Sequence, residues 1–403
     1  MPGHLKPGHK WEGEVLCFKL TEDQDRLKAR ARAFARDIVA PHVAEMDRTN
    51  NYPWPVVKAM AQEGFMGLTI DPKYGGSGRP LIDALLVVEE LAKVCGTVAR
   101  ICVDANTAVQ KAISEYGTEE QRARFLPGVV AGDKPAIAIT EPDVGSAATS
   151  ITTTAVKSGD HYVLNGEKRW ITGAGVTKLY LIFARFGQEE GAKNIGGLLV
   201  ESSTPGLSVP NIRVMMGVRG MPEGDVKLEN CRVPAANLLA PPGPGFKRLM
   251  SAYNVQRLGA ATVALGIAQG AFDLAAGYAV RREQFGQPIG EFQGIQWMLA
   301  DMQIQIECSR LLIYRAAANA GHGFPDKVES AAAKVHSAEM AIAVTNTALQ
   351  IHGAAGYSCD LPLERMVRDA RMFSIGGGTA QMQRNMIGRD ILRSAKTQIR
   401  DVA

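Results

Sequence analysis

TTTAVKSGDHYVLNGEKRWIT, residues 152–172, decides the fold class of this chain. Its apolar and polar side chains alternate, and Ser158-Gly159-Asp160 and Asn165-Gly166 are hairpin-turn signals, so the stretch predicts β-strands. Working outward, AIAIT (136–140), LYLIFARF (179–186), GGLLVES (196–202) and VKLENCRVP (226–234) are further strand-like runs separated by turn residues. Short strands over Pro135 to about Leu239 imply a compact barrel or sandwich.

On both sides of that block the apolar period becomes helical. Thr21 followed by Glu22 and Asp23 starts a helix whose stripe, Leu27, Ala31, Phe34, Ala35 and Ile38, should stop at Pro41. A helix from near Pro53, a loop over Asp71–Pro80, a helix over Leu81–Lys93 and one unbroken helix over Val98–Tyr116 follow. After Gly245 the expected helices are Lys247–Tyr278, Phe292–Ala320, Asp326–Ile351, Leu363–Met372 and Thr379–Arg393. The expected architecture is α+β and multidomain: a flexible tail (1–20), an N-terminal all-α domain (21–134), a middle β-barrel domain (135–240) and a C-terminal four-helix bundle (241–403).

Composition narrows the function. With 403 residues, 46% apolar and 21% charged content and a net charge of +4, this is an ordinary globular chain. No basic run interleaved with aromatics points to nucleic acid, and no apolar stretch reaches the roughly 18 residues of a membrane span. MPGHLKPGHKWEGEV lacks an apolar signal region, so a cytoplasmic location is expected. The six cysteines show neither C-x-x-C pairing nor metal-ligand spacing, and no metal is expected. His352 and Cys359 would form a nucleophilic pair only if the fold brought them into contact.

RMFSIGGGTAQMQRNMIGR, residues 371–389, carries the chemistry. Gly376, Gly377 and Gly378 break the helical pattern, and Thr379 can cap the next helix, leaving backbone N–H groups for a polar ligand or forming a plain helix-to-helix turn. The run GGTAQMQR (377–384) resembles the Gly-Thr signature of acyl-CoA dehydrogenases, FAD enzymes that oxidise the α,β bond of CoA thioesters. AITEPDVGSAAT (138–149), NGEKRWITGA (165–174), RREQFGQPI (281–289) and LQIHGAAGY (349–357) resemble four more motifs of that family, in the family's order.

The resemblance, from about Thr21 to Arg393, implies that fold and FAD as cofactor. Trp170 and Thr172 would flank the flavin ring, Ile139, Thr140 and Ser146 would line the loop beside it, and Thr379 and Gln381 would complete the site. Arg282 would hold the pyrophosphate, with Phe285, Gln350 and Gly353 near the adenosine end; in the family these come from a neighbouring subunit, which implies a homotetramer. CoA would lie along LMSAYNVQRLGAA (249–261), with Ser146, Tyr253, Asn254 and Arg257 as contacts. Without the resemblance, Trp170 reads as a strand core residue and Arg282 as a solvated turn.

The chain departs from the family where proton abstraction would occur. Gly377 stands where many members carry the catalytic glutamate, and Gln256 stands at the alternative glutamate position; an amide has no basic site near neutral pH. Arg100, inside the apolar helix TVARICVDANTAV (97–109), needs either a structural ion pair or an anionic ligand, and a guanidinium fork suits a carboxylate or sulfinate. This combination resembles one branch of the family, the 3-sulfinopropionyl-CoA desulfinases, which release sulfite and leave propionyl-CoA. With that chemistry, Arg100 is expected to clamp the sulfinate oxygens, Gln256 to position substrate or water, and FAD to be retained as a wall of the pocket. Two alternatives are a dehydrogenase of a short dicarboxylyl-CoA, with Glu141, Asp104 or a water as base, and a flavin- and CoA-binding protein without catalysis.

Overall fold

The structure, a computed structural model, describes residues 19–402 other than Glu190, with side chains to residue 397. The tail expected over 1–20 falls almost wholly outside the described residues, as does Cys17.

The first helix, α1 (Glu22–Phe34), begins with a capping box: Thr21 Oγ1 accepts from Gln24 N at 3.2 Å and Gln24 Oε1 accepts from Thr21 N at 3.0 Å. Pro41 does not stop the chain's helical course as expected. A π-turn (Ala35–Val39) and a 3-10 turn (Ala40–His42) intervene, so Pro41 lies in a new first turn where its missing N–H costs nothing, and α2 (Val43–Thr49) follows. Next come α3 (Trp54–Gln62), α4 (Leu81–Val94), α5 (Gly96–Asn106), α6 (Ala108–Tyr116) and α7 (Glu119–Val130). The single helix expected over 98–116 is thus two helices, because Thr107 adopts φ −126°, ψ −132° between them. The break turns its hydroxyl toward Gln256.

Eight strands form one sheet: β1 (Ala136–Ala138), β2 (Thr154–Ser158), β3 (His161–Thr172), β4 (Leu179–Arg185), β5 (Ile195–Glu201), β6 (Leu207–Arg213), β7 (Glu223–Pro234) and β8 (Leu238–Ala240). The order is β6-β7-β3-β2-β4-β5-β8, with β1 parallel to β4. Residues of the distant strands β5 and β7, Leu198, Val200, Val226 and Leu228, share one core with Leu164, Ile171 and Tyr180, so the sheet curls around its own interior. All seven residues of β4 are buried: Tyr180, Ile182 and Ala184 face that interior while Leu179, Leu181 and Phe183 pack into the helical core, which explains the uninterrupted apolar run.

Ser158-Gly159-Asp160 makes the β2–β3 hairpin, with Gly159 at φ +63°. Asn165-Gly166, expected to be a second turn, is instead a register shift inside β3. Gly166 has φ +149°, a Cβ there would lie 2.8 Å from Thr153 Cα, and Asn165 Oδ1 accepts from Asn230 N at 2.7 Å.

The C-terminal part is built on α8 (Gly245–Arg281), apolar over a span long enough to cross a membrane, with 78% of that span buried among other helices here. A two-strand hairpin, β9 (Glu283–Gln284) and β10 (Gln287–Pro288), leads to α9 (Gln293–Ala320), α10 (Lys327–His352), α11 (Ala354–Tyr357), α12 (Leu363–Met372) and α13 (Ala380–Val402). Helix α8 packs against α4, α5, α6, α9, α10 and α12 and touches β5, so residues on its inner face meet both the N-terminal helices and the sheet.

Candidate functional site

At that junction lies a buried polar cluster. Asp104 on α5, 6% exposed, is its centre: Oδ2 accepts from Lys134 Nζ at 2.9 Å and Oδ1 from Gln256 Nε2 at 2.7 Å. Burial alone would raise the Asp104 pKa, but the charges of Arg100 and Lys134 and the Gln256 hydrogen bond outweigh it and hold the carboxyl below the usual range. Gln256 is fixed at both ends, since its Oε1 meets the Thr107 hydroxyl. One hydrogen of its Nε2 goes to Asp104, which leaves the other for a ligand.

Arg100 lies one turn before Asp104, with Nε 3.5 Å from Oδ1 and the side chain 11% exposed. The structural ion pair weighed against an anionic ligand is therefore present, yet it is long, and Nε makes no hydrogen bond. A buried guanidinium with unspent donors is what an incoming two-oxygen anion requires.

From Lys134 the network continues into the sheet. Its ammonium also donates to Thr172 O at 3.3 Å, and the Thr172 hydroxyl donates to Glu223 Oε1 at 2.7 Å. Burial pushes the Glu223 pKa up to about 7, with the Asp104 charge adding to the rise and Thr172, Arg100 and Lys134 opposing it. On α8, Arg257 lies over the Tyr253 ring at 5.5 Å and donates to Asn254 Oδ1 at 2.5 Å, so Asn254 is buried and spends its acceptor on Arg257.

The glycine loop closes another side. Gly377 has φ +75° and a Cβ there would meet only Lys334 Cε, at 3.9 Å; Gly378 has φ +91° and a Cβ there would lie 2.5 Å from Gln383 Nε2. Lys334 on α10 is fully buried and donates to Gly378 O; burial, then the charges of Arg257 and Arg100, lower its pKa to about 8. Thr379 caps α13 as expected, accepting from Met382 N at 3.2 Å, and Gln381 is exposed beside it.

Trp170 is not a core residue. The register shift between Lys168 and Ile171 gives it φ +59° and leaves it 50% exposed, with the Arg213 guanidinium 4.7 Å from its ring centroid. The loop after Ile139 and Thr140 is pinned by Glu141, whose carboxylate accepts from Thr152 N (2.6 Å), Thr152 Oγ1 (2.7 Å), Thr153 N (2.9 Å) and Lys168 Nζ (2.8 Å); Ser146 is exposed on it. Against the rise that burial would cause, Lys168 and these donors bring the Glu141 pKa down to about 2. A folded-state pKa below the unfolded value of 4.5 means stability that is present above pH 4.5 and lost as pH falls toward 2. Hydrogen-exchange protection of the Thr152 and Thr153 amides, relative to the intrinsic rate at each pH, should fall through that window, and Glu141→Gln should show the lower protection already at neutral pH.

Arg282, Phe285 (93% exposed, φ +54°), Gln350 and Gly353 lie on exposed segments, and the structure does not bring them to the Arg100 cluster. His352 stacks on Tyr278 at 4.2 Å and its Nδ1 reaches Ala348 O, while Cys359 is exposed; the two form no pair. Sequence reading missed Lys134, Thr107, Lys334 and Glu223. None stands in an unusual local pattern; only tertiary pairing reveals them.

Residues 21–133, 136–231 and 243–392 match the N-terminal, middle and C-terminal domains of acyl-CoA dehydrogenases, and the chain belongs to that family. It is 51% identical over 387 residues to the 3-sulfinopropanoyl-CoA desulfinase of Paraburkholderia xenovorans, covering 95% of this chain and 99% of that protein. The desulfinase of Cupriavidus necator is 49% identical over 389 residues, covering 95% and 98%. Among solved structures, butyryl-CoA dehydrogenase from Megasphaera elsdenii superimposes with a TM-score of 0.91 at 35% identity, covering 94% of this chain and 100% of that one. A glutaryl-coenzyme A dehydrogenase in complex with glutaryl-CoA gives 0.88 at 32% identity, covering 94% and 97%.

The family implies FAD. The residues present are compatible with it: Trp170 presents an exposed indole and the Thr379 loop presents polar groups, while Arg282 and Phe285 are exposed away from the Arg100 cluster.

Proposed function

We propose that this protein is a 3-sulfinopropanoyl-CoA desulfinase that converts its substrate and water to propionyl-CoA and sulfite. The observation that carries the reading is Gln256, locked between Asp104 and Thr107 beside the under-used Arg100, at one of the two positions where the family's dehydrogenases place their carboxylate, the other being Gly377. Arg100 grips the sulfinate oxygens through its fork, and Gln256 turns its free N–H toward substrate or water. Asp104 is a positioning residue for both. Arg257, Tyr253, Asn254 and Ser146 contact the CoA arm. Trp170, Thr172, Ile139, Thr140, Thr379 and Gln381 hold the flavin, with Arg282, Phe285, Gln350 and Gly353 serving a neighbouring subunit of a cytoplasmic homotetramer. FAD, when bound, supplies a flat, polarisable wall against the acyl chain.

No net oxidation is needed. The sulfinate R–SO2⁻ and water give R–H and HSO3⁻, so the site must exclude proton removal at the α-carbon, not promote it. The carboxylates offered for that task are committed: Asp104 to Lys134 and Gln256, Glu141 to Lys168 and the 152–153 backbone. Incubation with 3-sulfinopropionyl-CoA should release sulfite while the flavin absorbance stays oxidised. Bleaching without sulfite would support a dehydrogenase of a dicarboxylyl-CoA instead.

A further inference from the structure

Replacing sulfur by hydrogen at the β-carbon requires a proton donor, and neither Arg100 nor the Gln256 amide is an acid near neutral pH. We infer that Glu223 delivers that proton, an inference that rests on the desulfinase reading. Glu223 opens β7 directly opposite Thr172 of β3, and its Oε1 accepts the Thr172 hydroxyl at 2.7 Å. Through Thr172 and Lys134 it joins the Asp104–Gln256–Arg100 cluster, and Trp170 lies two positions before Thr172 on the same strand.

The other carboxyls are excluded by what they bind. Asp104 and Glu141 are each held ionised by a buried lysine and further donors. Glu223 has the Thr172 hydroxyl and no ion pair among the described residues, which leaves its second oxygen free to carry a hydrogen. The charged or titratable groups facing it are Arg100 and Asp104 on α5, Lys134 ahead of β1 and Tyr253 on α8; its register neighbour on β6, Arg213, is engaged with Asp225 at 2.6 Å. Burial keeps a useful fraction of Glu223 neutral at physiological pH, with a pKa of about 7.

The step balances. The carbon–sulfur bond breaks with its electron pair toward carbon, the Glu223 proton forms the new C–H bond, and the hydroxyl of water bonds to sulfur to give hydrogensulfite. The remaining proton of that water restores Glu223. Sulfur gives up the bonding pair that carbon gains, so the electron transfer is internal to the substrate and no outside oxidant or reductant is needed.

The test compares holoenzyme of the wild type, Glu223→Gln and Glu223→Asp for sulfite release against pH, propionyl-CoA affinity, flavin absorbance and the infrared carboxylic-acid band. Glu223→Gln should lose turnover about a hundredfold at unchanged flavin content and product affinity. Glu223→Asp should recover part of it. Wild-type kcat should fall above about pH 7, and a carboxylic-acid band should vanish over the same range, both effects being absent from Glu223→Gln. Wild-type sulfite release with undiminished turnover in Glu223→Gln overturns the inference and leaves the desulfinase reading standing. A loss explained by weaker ester binding or missing flavin also overturns it, and absence of sulfite from the wild type removes both.

Discussion

Arg100→Lys should lower kcat/KM for 3-sulfinopropionyl-CoA about 10- to 100-fold while leaving the affinity for propionyl-CoA unchanged. A charge-assisted hydrogen bond contributes about 1.5–3 kcal/mol, and each 1.4 kcal/mol is roughly a factor of ten. Lysine keeps the charge and can still face Asp104 one turn away, so the helix and the ion pair survive. What it lacks is the planar fork that meets two oxygens of one anion. Because Arg100 Nε has no hydrogen bond in the free protein and its nearest carboxylate oxygen is 3.5 Å away, the substrate takes donors that the fold leaves unspent. The product's propionyl end is uncharged and offers no anionic oxygens to that fork, so its binding should be blind to the change. Steady-state sulfite release together with product titration measures both quantities, and equal turnover by the two enzymes would remove Arg100 from the reaction.

Arg100 is legible in the sequence because it violates its surroundings: a guanidinium between Val98 and Ile101 on an apolar helix demands an explanation. Gln256 and Gly377 are legible only against the family pattern. Their partners are not, since Asp104 meets Gln256 across 152 positions and Lys134 across 30, and no local period encodes such pairs. Glu223 looks like any acid at a strand end until Thr172 and the burial around it are known. The fold divides the same way. Where local chemistry dictates conformation, as in the Thr21 capping box or the Gly159 hairpin, sequence suffices. Where tertiary contacts override it, reading fails: Thr107 breaks a helix to reach Gln256, and Asn165-Gly166 bulges to pair with Asn230 and clear Thr153. Edge strand β6, mostly exposed, and the three-residue β8 carry too little apolar pattern to be recognised.

Asp104→Ala should be the most damaging single change to the fold, costing about 3–5 kcal/mol, because it strips the counter-charge from buried cations instead of removing a whole pair. Lys134 is 1% exposed and would retain only the Thr172 carbonyl at 3.3 Å, while Arg100 would face no carboxylate on its own helix. The lysine has no way out: a Cβ on Gly173 would lie 2.5 Å from its Nζ, so the chain packs against the ammonium there, and Gly173 itself needs φ +88°. The discriminating comparison is Asp104→Asn alone against Asp104→Asn combined with Lys134→Met. Removing both charges takes away the uncompensated ion along with its partner, so the double variant should recover most of the loss in denaturant midpoint seen in the single one. It should still turn over slowly, because Gln256 keeps an acceptor in the substituted amide's oxygen but Arg100 loses the anion that aligns it. A single variant as stable as the wild type would mean that the cluster is open enough to water to need no counter-charge, and the strength assigned to the Arg100 grip would fall with it.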